Sequence, residues 1–586
     1  MSTETRTCQS CKMQFTIEPV DFEFYGKIKV PPQTFCNDCR LQRRMSWRNE
    51  RALYRRKCMA PGHSEDLISN FAPEKPYIVY DQDYWWSDGW DPMDYGRDYD
   101  FSKPFFTQWL ELKRAVPHQN VSNSRAENSE YCNVNDKSKD CYLISAAFEN
   151  ENVMYSNRVS RNKDTLDCYF VNRSEGCYDD VICMDSFKLF FSQESENCAD
   201  SAFLYDCHNC IDCFGCTNLR KKQYYFFNEP CTREKYLQKI KEYDLGSFAA
   251  QERARARFEE LKRKAIRRYA SVLKAENSIG DNLYEAKNCT NCFDFWKVEN
   301  CKNVVWGLEL KDTYDSGPGV GAGSELMYET FDQVANSNVF FTSVVYDSSF
   351  VQYSFNCYNS NDLFGCFGLK KKQYCILNKQ YTKEEYERLV PKIIEHMNAA
   401  PYIDAKGRTY RYGEFFPAEL SPFGYNETVA QEYFPRTKEE ALAQGFAWRE
   451  NEARHYGITK KAEDLPDHIK DVPDSIINDL ISCAHGSPPA GGCNDQCTVA
   501  FKIMPAELYF YRRMNLALPR LCPNCRHYGR LRSRNPLRLA HRQCMCAAMG
   551  HSSHITGRCK SEFETTYTSE RPEAVYCEAC YQAEMV

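Results

Sequence analysis

Short β-prone runs separated by Asn, Asp and Ser recur through the middle of the chain, as in its LFFSQ and VFFTS segments. Cys168, Leu189 and Cys210 are evenly spaced, and Cys177, Cys198 and Leu219 repeat the same interval, as do Ile182, Phe203 and Tyr224. A fixed period in strand-and-turn sequence predicts a coil stacked on itself, a β-solenoid of about 21 residues per rung with Cys and aromatic columns facing inward. The register is clear from 167 to 229 and looser from 125 to 166. A curled β-sandwich of hairpins is the competing architecture.

The pattern repeats at an offset of 150: Asn209, Asp212, Phe214, Cys216, Lys221, Gln223 and Tyr224 recur as Asn359, Asp362, Phe364, Cys366, Lys371, Gln373 and Tyr374. Each copy ends in a strand-like stretch (QYYFFN, QYCILN) and then a helix start. Thr382 with Glu385 forms a capping box, and Thr232 begins its counterpart. Residues 247 to 276 read as one basic helix with interleaved acids, a solvated bridge between the solenoids. Residues 77 to 110, dense in aromatics and Asp, predict a cap for an open solenoid end, with a sugar or peptide platform as the alternative. The GPGVGAG stretch at 317 to 323 lacks the strand, helix and lysine of a phosphate loop and reads as a turn-rich insertion.

The two ends of the chain are also copies, at an offset of 486: Cys11, Phe15, Pro19, Tyr25, Cys36, Cys39, Arg44 and Cys58 fall on Cys497, Phe501, Pro505, Tyr511, Cys522, Cys525, Arg530 and Cys544. Cys8-x2-Cys11 with Cys36-x2-Cys39 predicts a four-cysteine zinc ribbon, and Cys493-x3-Cys497 with Cys522-x2-Cys525 repeats the design. Four protein ligands leave no place for water, so the metal is structural. A second ribbon follows each first one. At the C-terminus Cys577 and Cys580 join Cys559 and one of Cys544 or Cys546, with His551 and His554 in reserve. The N-terminal copy keeps Cys58 but has Asp81 and Tyr84 where thiolates belong. Loss of that metal is expected, a mixed Cys58, His63, Asp81, Asp83 site being the alternative, and the total is about three zinc ions. The run Cys207-x2-Cys210-x2-Cys213-x2-Cys216 tempts an iron–sulfur reading, but its second copy has Cys357, Ser360, Leu363 and Cys366, which favours small core residues.

Composition narrows the class. The 586 residues include 32 Cys, net charge is −6 and mean hydropathy is −0.65. No apolar run reaches membrane-spanning length and the start has no apolar leader core, so reduced thiols and metal in a cytoplasm are expected. Mild acidity excludes a globally basic nucleic-acid coat. No nucleophile motif, dominant acid pair or small-molecule substrate site stands out, and no catalysis is expected.

Long motifs, among them VPPQTFCNDCRLQRR, WRNERALYRRKC, FGCTNLRKKQYYFFN, RLCPNCRHYGRL and ERPEAVYCEACYQAE, resemble uncharacterised cysteine-rich zinc-ribbon proteins of small uncultured bacteria over nearly the whole chain. The resemblance implies zinc binding and a complete second N-terminal ribbon, which this chain lacks at Asp81 and Tyr84. It implies no activity.

Function then turns on the arginines behind the ribbons. Arg40, Arg44, Arg48 and Arg56 are matched by Arg526, Arg530, Arg534 and Arg542, and guanidinium forks suit phosphate. RNA or DNA binding through these residues is the leading expectation, and a protein-binding scaffold the alternative. A polysaccharide-acting β-helix enzyme comes third. The fold class is mainly β and modular. Its expected units are a ribbon with its arginine tail at 1–57, a degenerate ribbon and aromatic cap at 58–117, a solenoid at 118–230, and a helical connector at 231–277. A second solenoid at 278–380, a helix at 381–400, a connector at 401–480, and ribbons at 481–543 and 544–586 complete the order.

Overall fold

The computed structural model describes residues 2–450, 456–486, 495–548, 554 and 557–585. Two parallel β-ladders occupy its centre. In the first, Glu151 lies opposite Lys163, Tyr169 opposite Val181, and Ala199 opposite Ile211. In the second, Phe293 lies opposite Val305 and Met327 opposite Val339. Each of these residues pairs with the one twelve positions on (163 − 151), which corrects the longer step expected from the cysteine spacing.

A shorter unit explains the discrepancy. Asp164, Asp167, Phe170 and Arg173 have φ of 49°, 58°, 56° and 50°, and the residues after them, Thr165, Cys168, Val171 and Ser174, are buried. The backbone turns a left-handed corner at every third residue and points the next side chain inward. A triplet pattern echoes at any multiple of three, so the spacing of similar residues carries no pairing information. Hydrogen bonding across the ladder selects four triplets. Asn and Asp tolerate the left-handed region better than other L-residues, and they occupy corners such as Asp179, Asp185, Asn197, Asp200, Asp206 and Asn209. That is the source of the Asn and Asp background. Inward Ser and Asn are satisfied by the backbone one step on: Cys168 N–H donates to Ser156 Oγ (2.9 Å), Ser174 N–H to Asn162 Oδ1 (2.9 Å) and Ser186 N–H to Ser174 Oγ (3.1 Å).

Both ladders end in the same way. Glu229–Pro230 folds back antiparallel on Gln223–Phe226, and Lys379–Gln380 on Gln373–Ile376. Helices Arg233–Glu242 and Lys383–Ala399 follow, capped by Thr232 and by the expected Thr382/Glu385 box. The basic helix spans Phe248–Lys264 and lies on the first ladder. Phe258 packs 5.8 Å from Phe203, Arg257 sits 3.8 Å over Phe227, and Arg255 pairs with Asp179 at 3.5 Å. The aromatic segment covers the second ladder and its last turn: Trp109 Nε1 donates to Tyr353 O (2.9 Å), and Asn378 Nδ2 to Pro92 O (3.0 Å). The 317–323 insertion lengthens one step of the second ladder by two positions, placing Leu310 opposite Ser324. It does more than turn the chain, because the Gly317 and Pro318 carbonyls accept from Arg44 (3.5 Å) and Arg48 (3.4 Å).

The ends of the chain dock crosswise. One apolar core joins Ile17, Phe24 and Tyr25 of the N-terminal end to Tyr314, Tyr328 and Phe355 of the second ladder. Another joins Phe501, Phe510 and Tyr511 of the C-terminal end to Tyr155, Tyr178 and Phe203 of the first. Tyr25 meets Tyr328 edge-on at 5.7 Å, and Tyr511 meets Tyr178 at 5.6 Å; both pairs are related by the two sequence offsets. The segments behind cross back. Val79 pairs with His118 just before the first ladder, and Val575 with Arg267 just before the second.

Candidate metal centres and the buried arginine clusters

Three cysteine tetrads have all their sulfurs within 4.8 Å of one another and could each hold a metal ion. The first is Cys8, Cys11, Cys36 and Cys39, as expected. Strand Glu4–Thr7 delivers Cys8, and Cys36 opens helix Asn37–Met45, whose N-terminal partial positive charge favours thiolate. Cys36 N–H donates to Cys8 Sγ at 3.3 Å. Hydrogen bonds from Cys36 and Cys39 hold the Cys8 thiol far below its ordinary range.

The second tetrad is Cys483, Cys497, Cys522 and Cys525, which corrects the expected set: Cys483 takes the place assigned to Cys493, and Cys493 lies outside the described residues. Strand register gives the reason. Thr7 pairs with Gln14 in the N-terminal ribbon, and Ser482 pairs with Ala500 in the C-terminal one. Ala500 is the counterpart of Gln14 in the duplication, so Ser482 stands where Thr7 does and Cys483 where Cys8 does. Cys522 N–H donates to Cys483 Sγ at 3.2 Å, as in the first site. An ungapped comparison of the two ends cannot see this, because the C-terminal copy has a longer excursion between strand and knuckle. The available signal was the β-prone Ile481–Ser482 pair directly before a cysteine.

The third tetrad is Cys544, Cys559, Cys577 and Cys580, so Cys544 is the member that completes it. Cys577 N–H donates to Cys544 Sγ at 3.2 Å. Cys546 is grouped instead with His554 and Cys580, and His551 lies outside the described residues. No disulfide links the described cysteines.

The run from Cys207 to Cys216 differs in kind. These four residues are the inward positions of a single step of the ladder, each fully buried. Their sulfurs lean on carbonyl oxygens: Cys207 on Cys216 O (3.6 Å), Cys210 on Leu219 O (3.6 Å), Cys213 on Lys222 O (3.6 Å) and Cys216 on Tyr225 O (3.6 Å). Cys216 also receives an amide, from Asn228 at 3.5 Å. Carbonyls repel a thiolate, and burial pushes the Cys207 thiol up as in a neutral core, whereas hydrogen bonds from the Cys198, Cys207 and Cys213 thiols hold Cys210 far below its ordinary range. Burial likewise pushes the Cys168, Cys177 and Cys183 thiols up.

The arginines expected to face phosphate are turned inward. Arg40 pairs with Asp315 (2.7 Å), Arg44 with Glu329 (2.8 Å), and Arg48 with Glu50 (2.6 Å) and Asp332 (2.9 Å). Arg526 pairs with Asp167 (2.7 Å), Arg530 with Asp167 (3.1 Å) and Asp179 (3.4 Å), and Arg534 with Asp294 (2.6 Å). Arg56 and Arg542 donate to carbonyls, Tyr77 O at 3.2 Å and Thr568 O at 3.1 Å. The eight side chains are buried or nearly so, and Arg44 has no exposed side-chain surface. The acceptors are mostly carboxylates of the ladders, scattered through sequence and assembled only by the fold. Burial alone would raise the Glu50 carboxyl, but Arg158 and Arg48 outweigh it and hold it at about 2. A buried charge is tolerated only with partners of this quality.

Compared with known protein families and with curated proteins, the chain matches none. No helix among the described residues is long and apolar enough to cross a membrane.

Proposed function

We propose that this chain is a zinc-stabilised, non-catalytic scaffold. Two β-solenoids, each built of four triplets per turn, lie side by side, and each ribbon pair clasps both. Zinc is the ion that suits four thiolates in a closed site, and reduced cysteines suit a compartment such as the cytoplasm. The observation that carries the reading is the burial of both arginine sets against carboxylates: residues consumed in clasping ribbon to ladder are not free to bind phosphate. The outer rows of the ladders are charge-balanced along their length, as in Lys139–Glu127 (3.3 Å), Lys163–Glu151 (3.3 Å) and Lys297–Glu309 (3.3 Å). A groove of about 610 Å³ on the second ladder is lined by Glu285, Lys287, Lys297, Glu299, Glu309 and Lys311, a mixed-charge surface that fits a protein partner better than a polyanion.

Binding of RNA and DNA of several lengths at low salt tests this, together with Arg44→Glu and Arg530→Glu. The scaffold reading expects no salt-dependent binding by the unmodified protein and a loss of thermal stability in both variants. Tight binding abolished by the variants, with melting unchanged, would restore the nucleic-acid reading.

A further inference from the structure

The N-terminal second ribbon keeps one of its four thiolates, Cys58, yet its ligand-bearing hairpin survives. Lys57 pairs with Asp66 there, and Gln543 with Glu562 in the C-terminal copy. Counting outward from these pairs, Cys58 and Cys544 each follow the first strand directly. His63 and Cys559 each stand three residues before the second strand (66 − 63 and 562 − 559). His63 therefore occupies the ligand position of Cys559. Backbone contacts bear out the match: Cys58 N–H donates to Glu65 O (3.0 Å) as Cys544 N–H does to Ser561 O (2.8 Å), and Met59 N–H donates to Val79 O as Met545 N–H does to Val575 O (both 3.0 Å). The sulfur environment also matches, since Asp81 N–H donates to Cys58 Sγ at 3.2 Å, the geometry that Cys577 N–H gives Cys544. The knuckle thus keeps the amide that stabilises a thiolate after losing its own cysteines.

We infer that Cys58, His63 and Glu65 form a fourth metal site, open where the other three are closed. One sulfur, one imidazole nitrogen and one carboxylate oxygen lie within 4.8 Å of one another. Ligands around a tetrahedral zinc are separated by roughly 3.5 Å, so closing on an ion needs only small side-chain movements. His63 Nδ1 now meets Glu65 Oε1 at 2.8 Å, an interaction that metal would replace. Asp81 and Asp83, the carboxylates first suspected, are not grouped with them: Asp81 accepts the Asp83 N–H at 2.9 Å and caps helix Gln82–Trp86. Tyr84, in the place of the final cysteine, has its ring 4.8 Å from that of His63 and donates its hydroxyl to Gly89 O (2.9 Å), so a fourth position is left for water or a small anion. Cys58 is buried while His63 and Glu65 reach solvent, which makes the ion exchangeable.

Zinc titration of the whole chain, followed by graded removal with a chelator, tests the inference. Zinc-saturated protein should hold four equivalents, one released at chelator concentrations that leave three in place. Cys58→Ser, His63→Ala and Glu65→Gln should each lose that labile equivalent and keep the other three, and the surface changes His63→Ala and Glu65→Gln should leave the melting temperature unaltered. Cobalt(II) at the labile site should give weak sulfur-to-metal absorption, from one thiolate, that disappears in His63→Ala. Saturation at three equivalents, or a fourth that persists in His63→Ala, overturns it. The count is independent of whether the scaffold or the nucleic-acid reading of the arginines holds.

Discussion

The two second ribbons began as copies and now hold together by different means. At the C-terminus the buried cluster is Cys544, Cys546, Cys559, Cys577 and Cys580, with Ala548, Phe563 and Tyr576 packed against it only partly buried. At the N-terminus Cys58 remains beside Leu67, Phe71, Tyr77, Val79, Tyr80 and Trp85, reaching Tyr358 of the second ladder and Phe423. Trp85 is fully buried and donates its indole N–H to Pro117 O at 2.9 Å. Where a closed tetrad was lost, aromatic burial fills the same fold. A metal site and a small apolar core are thus interchangeable ways of stabilising a segment too short to bury much surface by itself.

The largest expected effect follows from that difference. Complete metal removal should unfold the C-terminal second ribbon, whose closed site contributes on the order of 10 kcal/mol, while residues 58–86 stay protected. Hydrogen exchange with and without chelator reads this directly, and early opening of the N-terminal segment would break the comparison. Next in size, Trp85→Ala should destabilise the N-terminal copy by about 3–5 kcal/mol, the range for a large buried aromatic. The Phe563 side chain at the other end is only partly buried, and its replacement by Ala should cost clearly less.

The ribbon–ladder clasps sharpen the comparison. Arg44→Ala removes the 2.8 Å partner of Glu329 and leaves it Arg40 and Arg43 at 3.4 Å, and Arg530→Ala strips one of two guanidiniums from Asp167. Both should destabilise, by up to about 3–5 kcal/mol, and the first more, because the 3.4 Å contacts left to Glu329 are weaker than the 2.7 Å contact left to Asp167; denaturant midpoints decide. For the same reason Cys36→Ser should loosen the second ladder, where the N-terminal ribbon docks, and not its own ribbon alone.

The smallest effect is a pH dependence. Burial raises the Glu432 carboxyl to about 7 despite Arg51 nearby. A carboxyl that holds its proton more tightly when folded stabilises the protein below its unfolded value and loses that contribution as pH rises from about 4.5 to 7. Glu432→Gln should flatten this part of the stability profile. The Glu50 carboxyl, held at about 2, has the opposite sign: its contribution is complete above about 4.5 and is lost as pH falls towards 2.

Much of the site was legible from residue order. Cys8, Cys11, Cys36, Cys39, Cys497, Cys522, Cys525, Cys559, Cys577 and Cys580 all stand in tetrads, because knuckle spacing is a local property that survives without knowledge of the fold. The Thr382/Glu385 box and the helix behind it were local in the same sense. The choice of Cys483 depended on which strand pairs with Ala500, a contact across a long excursion. The length of the ladder step depended on hydrogen bonds between triplets that any multiple of three would have matched. The arginines show the limit most plainly. Sequence determined that both ends carry the same guanidiniums, but a guanidinium facing solvent and one facing Asp315 or Glu329 are spelled identically. Only the tertiary structure decided between them, because the carboxylates that neutralise a buried charge come from distant parts of the chain and meet it only when the ladders form.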